Sequence, residues 1–219
     1  MESVKKRSKG HTRYYTKDGR LCVGVTTVLG KISKPHLIVW ANKLGLDGID
    51  STKYVDSLAE IGTLIHHLVE CDVKGLSPAL GDYTQNEIEI AQKAFKKWVD
   101  WKAKNKFELI ASELQLAHDG MQFGGTCDVY CKLNDKFCVL DIKTSKACYA
   151  EQRTQTVAYK ELLIANEKPV DECRIIRIGR SENEGFDDIL VGAHELHWKR
   201  FQAYLAAYWA DKALENAGG

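Results

Sequence analysis

Apolar and polar positions follow two different periods along this chain, and the change of period divides it near residue 106. Residues 13–30 read as two short strand-like pieces around the turn signal Lys17-Asp18-Gly19, and the second runs into the apolar, β-branched stretch Val25-Thr26-Thr27-Val28-Leu29. Residues 37–44 predict a short helix carrying Trp40. Val55, Leu58, Ala59, Gly62, Ile65 and Val69 recur at helical spacing and predict a helix over 55–72, followed by Gly75. Thr84-Gln85-Asn86-Glu87 fits a capping box, with a helix running from it to about residue 103. Beyond that the period shortens. Residues 107–116 predict a strand, His118-Asp119-Gly120 a turn, and 123–133 with 137–144 a hairpin closed around Asn134-Asp135-Lys136. A helix over 151–165, strands over 172–179 (carrying Arg174 and Arg177) and 187–191, and a helix over 195–214 complete the order. Helices, a meander, a helix, then more strand and a helix make a mixed α/β (α+β) core, not a regular βαβ array.

Composition narrows the picture. The 219 residues are 44% hydrophobic and 28% charged, which excludes a disordered or fibrous chain and predicts one domain over 1–219. The net charge of +1 removes any bulk electrostatic argument for nucleic acid. Its distribution is uneven. Seven cations against two anions in residues 1–20 leave +5 there, hence −4 over the remaining 199. Residues 91–106 hold six lysines and one acid, Asp100. Each basic stretch is a phosphate-facing patch or a solvated face, and Lys93, Lys96, Lys97 and Lys102 are the candidate phosphate contacts on the second. Residues 1–10 lack the apolar core of a signal peptide, and no apolar run reaches a membrane span of roughly 18 residues. Seven cysteines, an odd number, suggest a reducing compartment and a cytoplasmic protein.

The hairpin carries the chemistry. With Asn134-Asp135 as a two-residue loop, Leu133 pairs with Lys136 and Asp128 comes directly opposite Asp141. Like charges so placed destabilise a sheet. Lys143, two residues on, shares the face of Asp141. Val139, Leu140 and Ile142 make the strand read as buried on both faces, and buried acids need partners or metals. Oxygen ligands of this kind suit Mg²⁺ or Mn²⁺, with a plain salt bridge to Lys143 as the alternative.

The chain resembles the PD-(D/E)xK nucleases, specifically their RecB-like, phage-type exonuclease branch. Four motifs carry the resemblance in order: Gly62-Thr63-Leu64-Ile65-His66 (G-x-x-x-H), Gly125-Thr126-Cys127-Asp128 (G-x-x-D), Asp141-Ile142-Lys143-Thr144-Ser145-Lys146 (D-x-K-T-S-K) and Gln155-Thr156-Val157-Ala158-Tyr159 (Q-x-x-x-Y). It covers roughly residues 11–210 and implies a restriction-endonuclease-like core, a central mixed sheet flanked by helices. It further implies His66, Asp128, Asp141 and the Ile142 carbonyl as ligands of Mg²⁺ or Mn²⁺, and Lys143 as the group that positions the attacking water. Gln155 and Tyr159 would orient the site, and Glu113 matches an acid that often precedes G-x-x-D. Glu70 is a candidate ligand of a second metal, and His67 is read as a surface or supporting residue. The implied activity is a metal-dependent deoxyribonuclease, an exonuclease of recombination, repair or phage DNA processing in a bacterial or phage-infected cell. Its implied partners are DNA ends, single- or double-stranded, and a recombination or single-strand-binding protein. A structure-specific or restriction-type endonuclease and a catalytically silent DNA-binding module are the alternatives. Cys173 is the last cysteine, so no iron–sulfur cluster is expected. Cys127, Cys131 and Cys138 read as small core residues, since zinc sites usually draw cysteines from C-x₂-C turns.

Overall fold

A computed structural model describes residues 12–218 and the backbone of Ser3–Val4. The strands are β1 (Ser3–Val4), β2 (Tyr14–Tyr15), β3 (Leu21–Gly24), β4 (Ser77–Pro78), β5 (Phe107–His118), β6 (Phe123–Leu133), β7 (Lys136–Lys143), β8 (Glu172–Ile178) and β9 (Phe186–Leu190). The helices are α1 (Val25–Leu29), α2 (Pro35–Leu46), α3 (Ser51–Lys74), α4 (Gln85–Lys102), α5 (Ala150–Ala165) and α6 (His194–Asn216). Lys5, Lys6, Arg7 and Lys9 of the basic segment lie outside the described residues.

Local chemistry sets most boundaries. The Asp50 carboxylate accepts from the Thr52 and Lys53 amides at the start of α3, and Gly75 ends that helix at φ 66°. Thr84 and Glu87 form the expected capping box on α4. One element departs from expectation. The second strand piece stops at Gly24, and the β-branched run after it winds into α1, with Val25, Val28 and Leu29 buried. Helical spacing delivers those three side chains to the core under α5 and α6, and that burial outweighs β-propensity.

Strands β2-β3-β6-β7-β8-β9 form one mixed sheet, with β5 on the second edge of β6. The β3/β6 and β7/β8 pairs are parallel and the others antiparallel. Helices cover both faces. One core packs Leu64, Ile65, Trp98, Leu140 and Ile142 between α3, α4 and the sheet, while the other packs Val157, Leu162, Phe123 and Phe201 between α5, α6 and the opposite face. Among the described residues no helix is long and apolar enough to cross a membrane.

The β6–β7 register is the predicted one, from Leu133↔Lys136 to Val129↔Leu140. Asn134 and Asp135 lie at φ 50° and 68°, the left-handed pair a type I′ turn requires. Along one edge, β6 pairs with β5 from Phe123 to Leu133, with an irregularity between Leu109 and Ala111 and no pair at Asp128. The other edge is shared, with β7 taking Val129–Leu133 and β3 taking Phe123 and Gly124. The stretch between, Gly125 to Asp128, lies where β3 and β7 diverge.

The lysines of α4 are largely committed within the protein. Lys96 pairs with Asp100 at 2.7 Å and Lys102 with Asp72 at 2.6 Å. Lys97 Nζ donates to the carbonyls of Gly179, Ser181 and Gly185 at 3.3, 3.0 and 3.2 Å. It clamps the β8–β9 connection and is not a surface phosphate contact.

Candidate active site

Asp128 stands at the gap in the sheet. Its Oδ2 accepts the Ile142 backbone N–H at 2.8 Å, so a side chain takes over where the β6–β7 ladder ends. Asp141 follows the last ladder pair on β7 and is 1% exposed. Lys143 Nζ lies 2.8 Å from its Oδ1 and 2.7 Å from its Oδ2. Only the Oδ1 contact has hydrogen-bonding geometry, and Oδ2 is left buried without a hydrogen bond. Burial pushes the Asp141 carboxyl up to about 6, against the pull of the Lys143 ammonium and with the added repulsion of Asp128. Burial also disfavours the Lys143 ammonium, but the Asp141 and Asp128 carboxylates outweigh it and hold that pKa above its ordinary value. The salt bridge anticipated as an alternative therefore exists, but it is buried in the sheet.

His66 approaches from α3, with Nδ1 3.9 Å from Asp128 Oδ2. That approach depends on Gly62 one turn earlier. A Cβ there would sit 2.6 Å from Thr144 Oγ1, so glycine lets α3 reach the end of β7 without displacing the Thr144 side chain. Gln155 and Tyr159 meet on one face of α5, Gln155 Nε2 donating to the Tyr159 hydroxyl at 2.7 Å. Burial, then Asp141 and Asp128, raise the Tyr159 phenol well above its usual value. Gly125 admits the ring, since a Cβ at 125 would lie 2.7 Å from Tyr159 Cε1. Glu113 falls between the pairs Ser112↔Val129 and Leu114↔Cys127, level with Asp128, at a left-handed φ of 53°. Ile142 offers its N–H to Asp128 and buries its side chain against α3 and α4.

Three further residues lie around the site, and of these His67 departs from the surface position read from the sequence. His67 is buried, with its ring 3.8–3.9 Å from Cys71 Sγ, because it faces the core side of α3. Glu70 pairs with Lys74 at 2.7 Å. Arg177, assigned no role from sequence, is buried on β8 opposite Lys143. Its Nε donates to Asp187 Oδ2 at 2.5 Å and its Nη1 reaches the Ser145 carbonyl at 3.5 Å. Gln152 holds the same loop from α5, donating to Ser145 Oγ at 3.0 Å and accepting the Tyr149 amide at 2.9 Å. A charge among Ile175, Ile176 and Ile178 was the available sequence signal for Arg177. The sheet divides the cysteines, with Cys127 in one core and Cys131 and Cys138 in the other.

Among the described residues, no three His, Cys, Asp or Glu side chains are drawn together into a ready-made metal cage. The donors at hand are two carboxylates and an imidazole, and one buried carboxylate oxygen has no hydrogen bond. That set fits a small, hard divalent cation such as Mg²⁺ or Mn²⁺. A cavity of about 1140 Å³ opens beside it, with His66 and Lys143 in its wall.

No known family model matches the chain, and no curated protein matches it in sequence. Among solved structures it is similar to an alkaline exonuclease from Laribacter hongkongensis, LHK-Exo, at 13% identity and a TM-score of 0.39, covering 89% of this chain and 94% of that one. The same exonuclease in complex with dAMP gives 12% identity and a TM-score of 0.41, covering 89% of each chain. A protein described as SSO0001 gives 12% identity and a TM-score of 0.39, covering 85% of this chain and 75% of that one.

Proposed function

We propose that this chain is a divalent-metal-dependent nuclease that hydrolyses phosphodiester bonds of DNA from strand ends, in recombination, repair or phage DNA processing. The observation that carries the reading is the convergence of Asp128, Asp141 and Lys143 at the point where β6 and β7 part, with the Asp141 carboxylate buried and the Lys143 ammonium against both of its oxygens. Asp128 and Asp141, with His66 and the Ile142 carbonyl, would hold the cation. When bound, it would polarise a phosphate oxygen and acidify a water.

The chain's own residues supply the rest. Lys143 keeps its proton and places a fixed positive charge at the cavity wall, suited to charge developing on a phosphate. Tyr159 accepts from Gln155 and stays protonated, so its own hydrogen is available to an oxygen of the site. Arg177 from β8 and Gln152 from α5 both bond Ser145 of the Thr144–Lys146 loop.

The test is digestion of end-labelled single- and double-stranded DNA in Mg²⁺, Mn²⁺ or EDTA. Release of mononucleotides from an end, lost in EDTA and reduced about 100-fold or more in Asp128→Asn, Asp141→Asn and Lys143→Ala, is the expected result. Internal fragments would make it an endonuclease, and full activity in EDTA would overturn the mechanism. Calorimetric titration of Mn²⁺ separates the roles: His66→Ala should bind more weakly, whereas Lys143→Ala, which removes a cation and no ligand, should not.

A further inference from the structure

Helix α2 has an unusual surface for an element beside a polar site. It buries none of its residues, and Leu37, Ile38, Val39 and Trp40 are all exposed. Trp40 faces Tyr54 of α3, with ring centroids 6.1 Å apart and planes at 53°, so neither ring covers the face of the other. Both rings line the same cavity as His66 and Lys143, and Tyr149 lines it too. The fold makes little use of these aromatic faces, and they are continuous with the candidate catalytic residues.

The cavity also carries cations without full partners. Lys146 has no carboxylate within ion-pair distance among the described residues. Arg180 Nε is buried without a hydrogen bond. Its nearest carboxylate, Glu184, is 3.6 Å away and already accepts the Arg180 backbone N–H at 2.8 Å.

We propose that Trp40 and Tyr54 form a stacking platform for unpaired bases, with Lys146 and Arg180 taking the adjoining phosphates, so that the site receives single-stranded nucleic acid. This rests on the nuclease reading above and adds the substrate class. A duplex presents phosphate and sugar outward and covers its base faces by stacking within itself, so an apolar aromatic wall gains nothing from it. An unpaired strand offers π-faces that tryptophan and tyrosine bind without regard to sequence, and phosphates at the spacing that cations along a groove can follow.

The experiment measures binding to the intact protein in EDTA, where cleavage is not expected. The probes are a fluorescent single-stranded oligonucleotide, a blunt hairpin duplex of equal length, and a single strand carrying a run of abasic residues. The single strand should bind tightest. Trp40→Ala and Tyr54→Ala should each weaken it about tenfold or more, and Trp40→Phe should restore most of the loss. The abasic strand should bind the wild type about as poorly as the normal strand binds Trp40→Ala.

Equal binding of the blunt duplex, or unchanged affinity in both alanine variants, would overturn the platform. So would a dimer in solution that Trp40→Ala dissociates while oligonucleotide affinity stays constant, since α2 would then be covered by a second copy. Metal-dependent cleavage abolished by Asp141→Asn but indifferent to Trp40 would remove the platform and leave the nuclease. Trp40-dependent strand binding without any metal-dependent cleavage would do the reverse.

Discussion

Two single residues test how the site is held. Gly62 was legible as a member of the α3 stripe and of the G-x-x-x-H pattern, and its packing reason is the 2.6 Å that a Cβ would leave to Thr144 Oγ1. Gly62→Ala should cost about 1–3 kcal/mol, visible as a lowered Tm, together with much of the cleavage activity. Adding Thr144→Ala removes the clashing atom and should restore most of the stability, which a double-mutant cycle by calorimetry will read. Asp141 tests the electrostatics. Its folded pKa of about 6 lies above the unfolded value near 3.9, so the stability it contributes is fully present below about pH 4 and is lost as pH rises through about 6. Asp141→Asn has no such dependence. In EDTA, the Tm of the wild type minus that of the variant should therefore fall between pH 4 and pH 7. A flat difference would show that the buried carboxyl is not raised.

At the scale of elements, the hairpin was readable from its turn residues and flanking apolar runs, and its register followed once Asn134 and Asp135 proved to be a two-residue loop in left-handed conformation. The α4 lysines were not readable, because a charge run on a helix looks the same whether it faces water, phosphate or a neighbouring loop. Lys97 is bound to three carbonyls across the β8–β9 connection, beside Arg180 and Glu184 of the cavity wall. Lys97→Ala should leave those acceptors without their charged donor and cost about 1–3 kcal/mol, measured by urea unfolding. Its effect on oligonucleotide affinity should show no change in salt slope, whereas Lys146→Glu should flatten that slope.

For the molecule as a whole, a cation held only by the folded site must stabilise the fold. Saturating Mn²⁺, at about 100 times its Kd, should raise the stability of the wild type by about 2.7 kcal/mol, or several degrees of Tm, and leave Asp128→Asn and Asp141→Asn nearly unmoved. An equal rise in all three would place the ion elsewhere. By itself the sequence determined most of the element order and the hairpin register from Val129↔Leu140 to Leu133↔Lys136, because hydrophobic period, capping residues and turn chemistry act over a few neighbouring residues. Tertiary structure alone decided the rest. The short run at Val25 became helical because three side chains reach the core that way. Arg177 came to hold the Ser145 loop from a strand 32 residues further along the chain, and α2 was left exposed against the cavity. These outcomes depend on which surfaces meet across the sheet, and contacts between distant segments leave no periodic trace in either one.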